Sequence, residues 1–310
     1  MVIGPEQVWI GVCRTGARIT TAREEPFVMV MLELNWGTVR QGTLLELIDA
    51  ATVAGFGSIT VPPPWYDAAL LAGHTAGELR ARLEDAGLVV GYIDALTSGL
   101  PGQPSGSAPA RYQNTLETCM TAALGLGARR LSVAHFGGVQ SDIGALTAAI
   151  GDVATHARNE GVAVVVEFIP GTGIPDLATA VRIVADLGAA DVGVLLDTWH
   201  HYRSVGSVAD GATVPFELVH ALQLSDMPVE SIGCWQAGDP RAVERNSTYV
   251  PMTGRLLPGD GVLPLAEVIG GLLAARPEVP VGIEIFNDQM RAITVESAAA
   301  ESATALRALL

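Results

Sequence analysis

Short apolar runs alternate with longer periodic segments along most of this chain. The runs VVVEF at 164–168 and VGVLLD at 192–197 are typical of strands that are buried on both faces. Between such runs lie segments with apolar residues three and four positions apart, as in Thr43–Ala54, and this spacing indicates helices. The pattern therefore predicts strands that alternate regularly with helices.

Eight strands and seven helices can be placed in this way. The predicted strands are Phe27–Leu34, Ser58–Val61, Leu88–Leu96, Arg130–Phe136, Val162–Phe168, Val192–Asp197, Leu218–Leu224 and Val281–Ile285. The predicted helices are Thr43–Ala54, Thr75–Ala86, Arg111–Leu126, Ile143–Asn159, Pro175–Leu187, Leu265–Ala275 and Ala292–Leu309. This order predicts an α/β fold, a single-domain (β/α)₈ TIM barrel. An open dinucleotide-binding sheet is disfavoured because no GxGxxG motif follows the first strand.

Three segments depart from the repeating pattern. Residues 1–25 have no clear period, so we expect an N-terminal extension followed by a barrel over 26–310. The segment Thr97–Pro109 is rich in glycine, proline and serine, and it predicts a long loop, as does the stretch at about 227–264. Such loops in a compact domain are usually functional or disordered, and we expect the second one to cover a substrate site. Pro62, Pro63 and Pro64 predict a shorter loop that carries Trp65 and Tyr66.

The composition and net charge of the chain limit the classes of partner that it is expected to bind. The chain has 310 residues, of which 49% are hydrophobic and 16% charged, and a formal net charge of −15. This charge disfavours nucleic acid and anionic membrane surfaces as partners. The sequence has no apolar run of about 18 residues and no secretory signal pattern, so we expect no membrane span and a cytoplasmic location.

The residue types also exclude several chemistries. All 18 basic residues are arginine, and the absence of lysine excludes Schiff-base aldolases, pyridoxal enzymes and P-loop nucleotide enzymes. Cys13, Cys119 and Cys234 are far apart and never in a CxxC spacing, so neither a disulfide framework nor a thiolate zinc site is indicated.

Polar side chains end four of the predicted strands. Glu167, Asp197, Gln223 and Glu284 each follow an apolar run, and the carboxyl ends of parallel strands meet at one face of a barrel. Buried carboxylates need a cation, and an all-oxygen set suits one Mg²⁺ or Mn²⁺ ion. The sequence thus predicts a metal site of these four residues. The alternative is that the acids cap helices or pair with arginines at the barrel rim.

Five sequence blocks resemble one known family over roughly residues 27–310. They are VVVEF at 164–168, LLDTWH at 195–200, LQLSD at 222–226, RLLPGDG at 255–261 and GIEIF at 282–286. The chain resembles the sugar phosphate isomerase/epimerase family, which comprises xylose isomerase-like TIM barrels and includes AP endonuclease family 2. The resemblance implies that Glu167, Asp197 and Glu284 bind one divalent metal ion. It also implies that His200 and Arg255 contact the substrate, and it favours a homo-oligomer. Many relatives have a histidine where this chain has Gln223.

A mechanism follows from this set of residues. A metal ion that chelates a carbonyl and a neighbouring hydroxyl acidifies the α-proton, and a carboxylate beside it can act as a base. Glu167 and Glu284 are the predicted catalytic pair of an isomerase or epimerase acting through an enediolate. The expected substrate is an unphosphorylated sugar, an inosose or a related polyhydroxy carbonyl compound, because no phosphate cradle is evident. His135, which follows the fourth strand, is a further predicted substrate contact.

Three other functions are compatible with a barrel of this kind to different degrees. Loss of a β-hydroxyl from the same intermediate would make the chain a dehydratase of the 3-dehydroshikimate or inosose type. A non-catalytic sugar-binding barrel would keep the fold without needing the metal. An abasic-site endonuclease is disfavoured, because it would need a basic groove and several more histidine ligands, whereas the six histidines are scattered and the net charge is −15.

Overall fold

Eight parallel strands form one sheet in the computed structural model, which describes residues 30–103, 113–136, 142–235 and 253–310. The strands are β1 Leu32–Leu34, β2 Ser58–Val61, β3 Val89–Leu96, β4 Arg130–Ala134, β5 Ala163–Glu167, β6 Val192–Asp197, β7 Val219–Gln223 and β8 Val281–Ile283. From β1 to β7 the strands pair in sequence order, and β1 also pairs with β8. A single bridge between Leu224 and Ile283 links the two ends of the sheet. The predicted (β/α)₈ barrel is therefore confirmed.

Helices lie between the strands and cover the sheet. Those of the described ranges are α1 Leu44–Ala54, α2 Pro63–Leu71, α3 Ala76–Asp85, α4 Leu116–Leu126, α5 Ile143–Asn159, α6 Leu177–Leu187, α7 Thr198–Ser204, α8 Leu265–Ala275, α9 Asp288–Ala292 and α10 Val295–Leu309. Local sequence explains their ends. Thr43 and Glu46 form a capping box at the start of α1, which ends at Gly55 in the left-handed conformation that glycine favours. None of these helices is long and apolar enough to cross a membrane.

The barrel closes where β7 meets β8. The Leu224 amide donates a hydrogen bond to the Gly282 carbonyl at 2.9 Å, and the Glu284 amide donates to the Leu224 carbonyl at 2.9 Å. These two bonds lie beside Gln223 and Glu284, both of them predicted ligands. The edge of the sheet that closes the barrel is thus also part of the predicted site.

The barrel interior has an apolar layer between polar ones. Tyr92, Val165, Leu195 and Ala221 form a buried cluster contributed by β3, β5, β6 and β7. Two residues further along β5 and β6, at the next inward positions, come Glu167 and Asp197. The alternation of inward and outward side chains therefore places the strand-end acids above this apolar layer.

Some predicted boundaries were wrong. Pro62 caps a helix, α2, instead of extending a loop. Pro63 and Pro64 occupy the first turn of this helix, where a backbone N–H has no partner within the helix and proline is therefore tolerated. Helix α6 begins at Leu177 with Asp176 as its cap, so Pro175 precedes the helix. Helix α4 begins at Leu116 rather than at Arg111, because Thr115 caps it.

Two further helices were not predicted. Helix α7 begins immediately after Asp197, so the chain does not remain extended through His200 and His201. Helix α9 was also not predicted, and the predicted helix Ala292–Leu309 begins instead at Val295 as α10, because Thr294 caps it. The predicted N-terminal extension of residues 1–25, and parts of the two long loops at 104–109 and 236–252, lie outside the described residues.

Candidate metal centre

The four predicted strand-end ligands lie buried at the carboxyl end of the barrel. Glu167 and Gln223 are the last residues of β5 and β7, Asp197 is the last residue of β6, and Glu284 directly follows β8. The exposed fraction is 7% for Glu167, 1% for Gln223, 0% for Asp197 and 3% for Glu284. Oxygen atoms so far from water need partners within the protein.

The two carboxylate oxygens of Asp197 have different partners. Oδ1 caps helix α7 by accepting hydrogen bonds from the backbone amides of Trp199 at 2.7 Å and His200 at 3.3 Å. Oδ2 lies 2.8 Å from Nη2 of Arg255. The alternative prediction from the sequence is that the strand-end acids cap helices or pair with arginines. Asp197 does both.

Arg255 joins two of the acids from the side of the long loop. Its Nη1 lies 2.8 Å from Oε2 of Glu284, and its side chain is fully buried. The backbone around it is fixed by a short bridge between Asp226 and Leu256 and by Asn287, whose side-chain amide donates to the Arg255 carbonyl at 2.8 Å. The segment after β7 thus places the Arg255 guanidinium at the carboxyl end of the barrel.

His200 belongs to the same cluster. It lies on α7, and its Nε2 is 3.6 Å from Oε1 of Glu167 and 3.5 Å from Oδ2 of Asp197. One ligand atom from each of Glu167, Asp197 and His200 lies within 4.8 Å of the others, a spacing that could hold one metal ion. Burial lowers the pKa of His200 to about 3, so its imidazole is neutral and has a lone pair to offer.

Gln223 lies between Glu284 and the apolar layer. Its Nε2 donates to the hydroxyl of Tyr92 at 3.0 Å and to Oε1 of Glu284 at 3.3 Å. Asn35 donates to the same tyrosine hydroxyl at 3.1 Å. Within the described residues, Oε1 of Gln223 is buried and accepts no hydrogen bond, which leaves it available as a ligand.

The acids of the cluster raise one another's pKa values. Burial, followed by the charges of neighbouring carboxylates, raises the pKa of Glu167 well above its usual value. Burial also raises the pKa of Glu284 well above its usual value, although the Arg255 guanidinium opposes this. A second cation would relieve the repulsion, since Arg255 pairs with Asp197 and Glu284 and, among the described residues, not with Glu167.

Asp94 is a buried acid near this cluster that the sequence analysis did not identify. It lies on β3, accepts a hydrogen bond from the indole Nε1 of Trp36 at 2.8 Å, and is 7% exposed. Burial raises its pKa to about 6, and the Asp197 charge adds to that rise. The sequence contained one signal, an acid at an inward position near the end of a strand, but two apolar residues follow it and obscure the pattern.

His135 is held by the backbone on both sides of its ring. Its Nδ1 accepts from the amide of Gly173 at 3.0 Å, which leaves Nε2 to donate to the carbonyl of Pro101 at 3.0 Å. These bonds join the loops that follow β3 and β5. Contact with a substrate through a ring nitrogen would require one of them to break, so the predicted role of His135 remains a prediction.

The donor set fits a divalent cation. Three buried carboxylates, a neutral imidazole and an amide oxygen without a donor surround the same region, and their charge exceeds that of Arg255. The imidazole is an addition to the predicted all-oxygen set, which named Glu167, Asp197, Gln223 and Glu284. These side chains are brought together as predicted, whereas their function as ligands remains a prediction.

Comparison with known proteins agrees with the fold. The family model for the xylose isomerase-like TIM barrel matches residues 48–309. The chain therefore belongs to the xylose isomerase-like TIM barrel family. No curated protein sequence matches the chain.

Several solved structures share the fold. A structure of the IOLI protein with a bound zinc atom is 15% identical, with a TM-score of 0.72, and covers 90% of this chain and 97% of its own. A probable 3-DHS dehydratase from Bacillus anthracis is 14% identical, with a TM-score of 0.65 and coverage of 89% and 98%. An L-ribulose 3-epimerase is 17% identical, with a TM-score of 0.62 and coverage of 91% and 95%. At these identities the likeness concerns the fold.

Proposed function

We propose that this protein is a divalent-metal-dependent isomerase or epimerase that acts on a polyhydroxy carbonyl compound through an enediolate. The observation that carries the proposal is the pair Glu167 and Glu284. They come from β5 and β8, both are buried, and both have pKa values raised well above the usual one. Two carboxyl groups of this kind can exchange protons with a substrate held between them.

A metal ion would be held by Glu167, Asp197, Gln223 and Glu284, with His200 adjacent. When bound, such an ion polarises a carbonyl oxygen and so makes the neighbouring C–H more acidic. The oxygen ligands favour Mn²⁺ or Mg²⁺, and the neutral imidazole is compatible with Zn²⁺ too. The zinc atom in the IOLI structure supports a divalent ion in this family.

The chain's own groups supply the proton transfers. Among the described residues Glu167 lies beside the neutral ring of His200 and forms no ion pair with an arginine, so its carboxylate is the better base for removing the α-proton. Glu284 is held by Arg255 and Gln223 and can return a proton from the direction of β8. Arg255 and His200 donate hydrogen bonds to oxygens of the substrate, and the charge of Arg255 balances the negative charge that develops on them.

The proposal is tested by metal analysis together with proton exchange. Protein purified without chelator is expected to contain about one divalent ion per chain, and to exchange the α-proton of at least one ketose, inosose or 3-dehydroshikimate in deuterated water. Glu167→Gln and Glu284→Gln should each reduce exchange by at least about a hundredfold, as expected for loss of a general acid or base. Glu301→Gln, an exposed change on α10, is the matched control.

Full exchange by the two site variants would overturn the proposal. Protein that contains no divalent ion, and that gains no thermal stability from one, would instead favour a non-catalytic sugar-binding barrel.

A dehydratase is the second candidate. Burial raises the pKa of Glu284 and so favours its protonated form, and a proton on this carboxyl group could leave with a β-hydroxyl as water. The structural resemblance to a probable 3-DHS dehydratase is in keeping with this candidate. Appearance of an unsaturated product, followed by its ultraviolet absorbance, distinguishes it from an isomerase.

A further inference from the structure

A cavity of about 530 Å³ opens beside the metal centre. It is lined by Trp36, Arg40, Gln41, Pro62, Pro64, Trp65 and Arg291. These residues come from the segments that follow β1, β2 and β8, so the cavity lies at the same end of the barrel as the strand-end acids. Nothing in the proposed proton transfers uses this cavity.

Arg40 is the group that indicates what the cavity binds. Its side chain is 15% exposed, and among the described residues its Nε and Nη2 atoms are buried without a hydrogen-bond acceptor. Asp288 is a distant counter-charge, 3.9 Å from Nη2 and itself 73% exposed. Guanidinium donors buried in this way lack the acceptors that they need, and an anion in the cavity would supply them.

A second arginine is placed at the same cavity by a fixed helix. Arg291 lies on α9, and this helix is tied to the segment after β1 by Gln41, whose Nε2 donates to the carbonyls of Met290 at 3.2 Å and Ile293 at 3.0 Å. Two cations therefore line one cavity, together with the indole rings of Trp36 and Trp65, which pack edge to face with centroids 6.0 Å apart.

The cavity is close enough to the metal centre for one small molecule to reach both. The Phe286 ring contacts both guanidinium groups: the Cζ of Arg40 lies 4.9 Å from its centroid and the Cζ of Arg255 lies 5.2 Å from it. The two carbons are thus no further apart than the sum of these distances, 10.1 Å. Trp36 makes a second link, because its indole N–H donates to Asp94.

We propose that this cavity is a subsite for the carboxylate of the substrate, so that the protein acts on a polyhydroxy carbonyl acid in preference to a neutral sugar. The inference rests on the proposed function, whose substrate class it narrows. A carboxylate is favoured over a phosphate ester because the nearby start of α2 consists of Pro62, Pro63 and Pro64, which have no amide N–H to donate. Planar guanidinium groups match the two oxygens of a carboxylate.

The test measures binding without turnover. Full-length protein is treated with a chelator and titrated with D-gluconate, with sorbitol as the neutral analogue and with sorbitol 6-phosphate. Binding is followed by tryptophan fluorescence, since Trp36 and Trp65 line the cavity. We expect gluconate to change the fluorescence with at least about tenfold higher affinity than sorbitol, and sorbitol 6-phosphate to bind more weakly than gluconate.

Variants assign the effect to the cavity. Arg40→Gln and Arg291→Gln should each weaken gluconate binding by about tenfold, whereas Arg182→Gln, an exposed arginine on α6, should leave it unchanged. Equal affinities for gluconate and sorbitol, or unchanged binding by Arg40→Gln, would overturn the subsite. Tighter binding of sorbitol 6-phosphate would overturn the choice of carboxylate.

Failure of this inference can be told apart from failure of the proposed function. Glu167→Gln should lose proton exchange but keep its affinity for gluconate, because Glu167 does not line the cavity. A protein that exchanges protons of neutral ketoses as fast as those of keto acids would retain the proposed function and lose the carboxylate subsite.

Discussion

Asp197 shows how one side chain can serve both a helix and a site. Its Oδ1 caps α7, and its Oδ2 faces Arg255 and the cluster. An asparagine could keep the cap through its amide oxygen while losing the charge. The two roles are therefore separable by substitution.

Asp197→Asn and Asp197→Ala should affect metal affinity alike but stability differently. Both remove a carboxylate ligand, so both should lower the affinity for Mn²⁺ by at least about tenfold. The alanine variant also loses the helix cap and should be less stable than the asparagine variant by about 1 kcal/mol. Calorimetric metal titration and chemical denaturation measure the two effects. Equal stabilities of the two variants would contradict the capping role.

Arg255 balances buried charge, and its removal should be costly when no metal is present. Arg255→Met leaves Asp197 and Glu284 without the cation that each contacts at 2.8 Å. We expect the metal-free variant to lose about 3–5 kcal/mol of unfolding free energy. Adding Mn²⁺ should restore part of that loss, because a second cation then balances the acids. The measurement is denaturation with and without Mn²⁺, and an equal loss in both conditions would contradict the prediction.

The sequence predicted the strand-end acids because each follows a recognisable apolar run. It did not predict that His200 lies near Glu167, since that requires knowing that the strand ends at Asp197 and that a helix turns the next residues back over the barrel. Nor did it predict the cavity around Arg40, whose residues come from three segments distant in sequence.

At the scale of the elements, the alternation of strands and helices was predictable because burial imposes a different period on each. Strands β2 and β6 and helices α5 and α8 have the predicted bounds. Proline accounts for two of the errors. The same residue can end a helix or begin one, and only the conformation of its neighbours decides, so Pro62 and Pro175 were both placed wrongly.

The contact between β7 and β8 depends on a missing side chain. A Cβ on Gly282 would meet the backbone carbonyl oxygen of Leu222, closer than van der Waals contact permits. Gly282→Ala should therefore destabilise the protein by more than about 2 kcal/mol, because a backbone atom cannot move aside as a flexible side chain can.

Gly270→Ala is the matched control for this substitution. Gly270 lies on α8 with open space around its Cβ position, and alanine there should stabilise the protein by about 0.5–1 kcal/mol. Denaturation curves of both variants check the pair. A stable Gly282→Ala protein would show that the strands can separate slightly without cost.

For the whole molecule, a buried acid in the barrel should shape the dependence of stability on pH. Glu33 on β1 is 2% exposed and accepts a hydrogen bond from the Ser58 hydroxyl at 2.6 Å. Burial raises its pKa from 4.5 to about 7. In the unfolded chain Glu33 ionises first, so its contribution to stability is complete below pH 4.5 and is lost as the pH rises to about 7.

Glu33→Gln should remove this contribution. The difference in unfolding free energy between pH 5 and pH 8 should become smaller in the variant by up to roughly 3 kcal/mol. Glu301→Gln, which changes an exposed acid, should leave the difference as in the wild type. Denaturation at the two pH values measures it, and parallel pH profiles for wild type and Glu33→Gln would contradict the assignment.

The hydrogen bonds between Leu224, Gly282 and Glu284 join the two ends of the sheet next to the side chains that would hold a metal ion. A metal ion bound by both Gln223 and Glu284 would stabilise the contact between β7 and β8, in addition to its role in the reaction. The amide hydrogens of Leu224 and Glu284 should then exchange with deuterium more slowly once Mn²⁺ is added, while those of β3 keep their rate. Metal binding would thereby reduce how often the barrel opens between β7 and β8.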